Sequence, residues 1–72
     1  MAQPANPLRY EEVTEYMEVA VYIPGLSRPL YGVVKGKWET FGPNPQARIQ
    51  VEVFRFNQTA MIEVDLAQIV PW

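Results

Sequence analysis

Seventy-two residues with 49% hydrophobic content, no cysteine and no histidine make one small domain of formal charge −2. A chain this short buries only about 60% of the surface its unfolded form exposes, so its core needs tight packing or completion by association. The missing residue types exclude disulfide staples, ordinary zinc ligation and the usual nucleophile–base pairs, and no cofactor is expected.

The charge is unevenly spread. Residues 1–18 carry Glu11, Glu12, Glu15 and Glu18 against Arg9 alone, while residues 19–72 are close to neutral. A sequence pI near 4.9 argues against a general phosphate-backbone binder. The first residues lack the basic start and apolar run of a signal peptide, and no stretch approaches the ~20 apolar residues of a membrane-spanning helix. The expectation is a cytoplasmic protein with neither membrane nor metal partners.

In chain order, residues 1–16 read as an acidic arm or short helix and residues 17–72 as a small β-domain. Met1 to Pro7 is rich in proline and small residues, and Asn6 with Pro7 makes a plausible cap and first helical position. Tyr10, Val13 and Met17 recur at helical spacing, yet Val13, Glu15 and Met17 also fit an extended chain. From Met17 to Ile23 apolar residues alternate with Glu18, Ala20 and Tyr22, the pattern of a strand. Pro24-Gly25 ends it, and the loop to Pro29 exposes Arg28 at its tip.

Leu30 to Glu39 reads as a second strand. Leu30, Val34 and Trp38 share a face with Gly32 and Gly36, which places Trp38 in the core. Two glycines four apart within a strand predict a bulge or sharp bend. After the loop Phe41–Gln46, Ala47 to Phe56 is the longest alternating run, with Ile49, Val51 and Val53 on one face. Arg48, Gln50 and Glu52 take the other, joined by Phe54 and Phe56 unless a bulge re-phases them. Asn57-Gln58 links a tight hairpin into Ala60–Asp65, Leu66-Ala67-Gln68 forms a single turn, and Ile69–Trp72 closes the chain.

Five short strands, a stiff first loop, a meander and a one-turn break inside Val64–Trp72 resemble an SH3-like or Sm-like barrel. The resemblance covers roughly residues 17–72 and implies an all-β, five-stranded closed barrel, to which residues 1–16 would add the short helix or extended arm. It concerns fold and carries no function with it. Type II dihydrofolate reductases are also short SH3-like barrels, with a Val-Gln-Ile-Tyr-Pro run lining a tetrameric pore. Here Ala60 to Asp65 retains the isoleucine but lacks the glutamine and tyrosine. Glu63 and Asp65 would set repelling charges in a pore for anionic substrates, so this reading is the remotest.

Carboxylates are the remaining route to catalysis. Glu52 and Glu63 could face one another on adjacent strands, but exposed like charges on a sheet are ordinarily a solvated face. No phosphate-binding glycine pattern precedes a helix. Asn57-Gln58-Thr59 matches a glycosylation triplet and reads as a turn. The first loop, Gly25–Pro29, lacks the acidic and aromatic residues of a proline-peptide groove.

The leading expectation is a non-catalytic module that binds a protein partner or assembles with copies of itself. Its candidate surface is Tyr22, Tyr31, Lys35, Lys37, Arg48, Phe54, Phe56 and Trp72, since the chain has more aromatics than a core this small can hold. The alternative is RNA or single-stranded DNA binding, with Lys35, Lys37 and Arg48 on phosphates and Phe54 and Phe56 stacking on bases. Against it, edge lysines also serve simply to prevent unwanted strand pairing. Glu11, Glu12 and Glu15 could shield that basic face.

Overall fold

The computed structural model describes residues 8–55 and 57–72. The expectations for Met1–Pro7, including the Asn6 cap, and for Phe56 lie outside the described residues. Five strands form one antiparallel sheet: β1 (Glu18–Val21), β2 (Leu30–Glu39), β3 (Ala47–Arg55), β4 (Gln58–Val64) and β5 (Ile69–Pro71). Their spatial order is β4-β3-β2-β1-β5. The sheet is not closed. Its outer strands β4 and β5 are both edges, and β5 spans three residues ending in a proline that has no N–H to donate.

β3 organises the rest. Ile49 and Val51 are fully buried and Val53 nearly so, as the alternation in the sequence predicts. Its register with β4 runs unbroken from Ile49 opposite Val64 to Arg55 opposite Gln58. No bulge re-phases this strand, so Phe54 stays on the outer face and is 40% exposed. On β2, Gly32 lies opposite Val53 and Val34 opposite Val51. A side chain at Gly32 would put its Cβ 2.6 Å from Val51 Cγ1, so Val51 packs this close to β2 only because residue 32 has none.

The predicted bulge is present. Register shifts between Val34 and Gly36, with Lys35 as the extra residue. The shift has a consequence that alternation alone missed: beyond it, Trp38 pairs with Arg48 and Lys37 with Ile49. Trp38 is therefore exposed and not part of the core, a correction of one residue in phase.

Two turns follow directly from residue type. Ile23-Pro24-Gly25-Leu26 closes with a 3.1 Å bond from the Leu26 N–H to the Ile23 carbonyl, with Gly25 at φ 90°. That is the type II geometry that proline followed by glycine favours. Asn57, at φ 62°, turns the β3–β4 hairpin, and asparagine tolerates that region. Pairing of Arg55 with Gln58 starts β4 two residues earlier than the sequence suggests. Leu66–Gln68 forms the expected single 3-10 turn, and the Gln68 amide oxygen accepts the Asp65 N–H at 3.0 Å.

The described part of the N-terminal segment packs beneath the sheet. Its helical content is one 3-10 turn, Tyr10–Glu12, with the Glu12 carboxylate accepting the Arg9 N–H at 2.8 Å. Val13 is fully buried alongside Val19, Val21, Ile49 and Ile69, and Leu8 and Met17 pack against that cluster. The chain then joins β2 through Tyr16 N–H to Val34 O (2.7 Å) and Val34 N–H to Met17 O (2.9 Å).

Candidate interaction face

Because Val19 and Val21 point into the core, Glu18 and Ala20 point out, and the same parity assigns each neighbouring strand's outer residues. One row across the sheet reads Val70, Ala20, Tyr31, and continues through Phe54 to Thr59. The next reads Glu18, Val33, Glu52, Met61, and Trp72 joins it through a 3.1 Å bond from its N–H to the Glu18 carbonyl.

Tyr31 is the hub of this face. Its ring meets Trp72 edge-on at 4.8 Å and 78°, and Phe54 at 5.4 Å and 40°. Both geometries favour opposite parts of the ring quadrupoles. Its hydroxyl donates a 2.6 Å hydrogen bond to Glu18 Oε1. That bond, then the loss of solvent and the nearby negative charge, pushes the phenol's pKa above its usual value. Trp72 is 64% exposed and Met61 49%. The face therefore offers an aromatic cluster with an acidic rim.

The sequence-predicted surface is thus partly assembled and partly dispersed. Tyr31, Phe54 and Trp72 come together. Tyr22 does not join their ring contacts; its main chain is bonded to Gln68 at 2.7 and 3.2 Å beyond the end of β1. The three cations are separated and engaged. Lys35 lies 3.7 Å from Glu52 and 5.2 Å from the centre of the Tyr16 ring. Lys37, turned away by the bulge, donates to the Tyr10 carbonyl at 2.7 Å and sits 4.3 Å from the Tyr10 ring centre. Arg48 binds Glu63 at 2.7 Å and also Asp65. The Glu63 hydrogen bond, with the charge of both carboxylates, holds the guanidinium above its ordinary pKa.

These contacts reshape two expectations from the sequence. Glu52 and Glu63 do not face one another, since Glu52 pairs with Met61 and Glu63 with Gln50. The N-terminal segment does meet Lys35 and Lys37, but through Tyr16, Tyr10 and a carbonyl oxygen.

Three features carried little signal in the sequence. Tyr16 occupies the third position of a turn closed by Met17 N–H to Thr14 O (3.2 Å), at φ 68°, where glycine or asparagine is favoured. Glu18 orients Tyr31 through a diagonal contact that no local pattern announces. Phe41 is wholly exposed on the β2–β3 loop. Among the described residues no group of acidic side chains could hold a metal ion, and no helix is long and apolar enough to cross a membrane. Searches against protein-family models, curated proteins and solved structures find no match to this chain.

Proposed function

We propose that this chain is a non-catalytic binding module that docks a protein partner on the outer face of its sheet, with Tyr31, Phe54 and Trp72 as anchors. The observation that carries the reading is the packing of the Phe54 and Trp72 rings against Tyr31 on an exposed face, with Tyr31 pinned by Glu18. Pre-packed aromatic side chains lose little rotamer freedom on binding and bury large apolar area, which is why such residues dominate interface energetics. An SH3-like architecture belongs to the same proposal. It is supported by the β2–β3–β4 meander, the 3-10 turn before β5 and the return of β5 beside β1. So does a cytoplasmic setting, supported by the lack of cysteine.

The nucleic-acid reading ranks second. The Tyr31–Phe54 pair favours it as a stacking platform. Lys35, Lys37 and Arg48 weigh against it, each engaged by a carboxylate, a carbonyl or a ring within the fold.

Phe54→Ser combined with Trp72→Ser tests the proposal, because both side chains are substantially exposed and folding should survive. The wild-type chain is expected to retain a discrete protein from its native extract that the double variant loses, with capture little affected by salt. Equal capture by both proteins would overturn the reading. Capture of oligonucleotide with steep salt dependence would favour the second one.

A further inference from the structure

The open sheet leaves an apolar groove between the β1–β2 loop and the β3–β4 hairpin. Its lining includes Ile23, Leu26, Leu30, Val53, Ala60 and Ile62, around a cavity of about 360 Å³. Ile23, Leu30 and Ile62 also pack against the core, so among the described residues the groove is an open end of the hydrophobic interior. At the opposite end of the β2–β3 hairpin stands Phe41, an aromatic side chain in full contact with water. With ten residues in β2, the two features lie roughly 30 Å apart at about 3.3 Å per residue. A chain of this shape cannot seat its own Phe41 in its own groove.

The loop bearing Phe41 is braced. Thr40 N–H donates to the Gln46 carbonyl at 2.8 Å, and Gln46 N–H donates to Thr40 Oγ1 at 2.9 Å. Pro43 and Pro45 fix two backbone torsions between those bonds. A knob held this way needs little further ordering when it docks. The charges around the two features are complementary. Exposed Glu39 stands two residues from Phe41, while exposed Arg28 sits on the loop that lines the groove.

We infer that copies of this chain associate head to tail, with Phe41 of one copy seated in the Ile23–Leu30–Ile62 groove of the next. The contact is heterologous: every added copy presents a fresh knob and a fresh groove. Such an interface grows into a closed ring when its rotation closes and into a filament when it does not. It is separate from the Tyr31–Phe54–Trp72 face, which remains open to a different partner in each copy.

Solution mass by light scattering, from micromolar to millimolar chain, tests this. The wild type is expected to grow beyond a dimer as concentration rises. Phe41→Ser removes the knob and should weaken association roughly thirtyfold or more, the loss expected of a seated hot-spot residue. Ala60→Trp fills the groove and should also give single copies. Mixed together, the two variants retain one intact groove and one intact knob between them, and should form a one-to-one dimer that grows no further. A wild type that stays single across the range would overturn the inference and leave the groove to a foreign segment. Association undiminished by Phe41→Ser would overturn it too, and would point to pairing along the β4 edge. Phe41 is so exposed that its replacement leaves folding intact, so the test stands whether or not Ala60→Trp folds.

Discussion

Tyr31 Oη and Glu18 Oε1 lie 2.6 Å apart across the β1–β2 ladder, diagonal to the pairs in which Tyr31 faces Ala20 and Glu18 faces Val33. The phenol must be the donor, so its ionisation would set two negative charges against one another. Its pKa in the folded chain is accordingly raised above the unfolded value near 10. A protonated phenol therefore favours folding. That contribution is complete below about pH 10 and disappears as pH rises through the higher folded value. Titration of tyrosinate absorbance should show the Tyr31 step displaced to higher pH, and Glu18→Gln should return it toward the ordinary range. A late step unaffected by Glu18→Gln would show that the bond is absent in solution.

The two glycines of β2 should respond differently to alanine. At Gly32 the new Cβ would lie 2.6 Å from Val51 Cγ1 and 3.1 Å from the Glu52 carbonyl, one of them backbone that cannot step aside. Gly32→Ala is expected to cost about 1–3 kcal/mol in urea unfolding. At Gly36 the nearest atom is the end of a flexible glutamine at 3.9 Å. Gly36→Ala should change stability by no more than about 0.5 kcal/mol.

Tyr16 holds a left-handed conformation that costs a residue with a side chain about 1–2 kcal/mol. Two-thirds of its surface is exposed, so little packing repays that cost. Tyr16→Gly should raise stability by about 1 kcal/mol in the same assay. A fall would show that the ring's contact with Lys35 outweighs the backbone strain.

Ile49 and Trp38 put the core assignment to a paired test. Ile49 is fully buried at the centre of the sheet, and Ile49→Ala should cost about 2–5 kcal/mol, a large share of a small domain's stability. Trp38→Ser should cost about 0.5 kcal/mol, because the bulge has carried that side chain outside.

Strand order and core were legible to the extent that they rest on period-2 alternation and turn chemistry. Ile49, Val51 and Val53, the Pro24-Gly25 turn and the 66–68 break all follow from residue type. The bulge was legible as well, but not the one residue at which it acts, and that residue decides the sides taken by Lys37 and Trp38. Closure of the sheet was beyond alternation, which sets each strand's faces but not whether the outermost strands meet. The same limit hid the burial of Val13, because a three-residue turn and an extended segment satisfy its spacing equally. For the candidate face, the aromatic count pointed to Tyr31, Phe54 and Trp72 but equally to Tyr22, which stays apart, and pairing of the cations depends on cross-strand register. Positive φ at Tyr16 left no trace in the residues around it.

The central claim is that a partner docks on the aromatic face, and amide chemical-shift mapping measures that most directly. Isotope-labelled chain would be mixed with the protein that the wild type captures. Shifts concentrated at 18–20, 31–33, 52–54 and 70–72 are the predicted result. Shifts confined elsewhere, with those four segments unmoved, would contradict it.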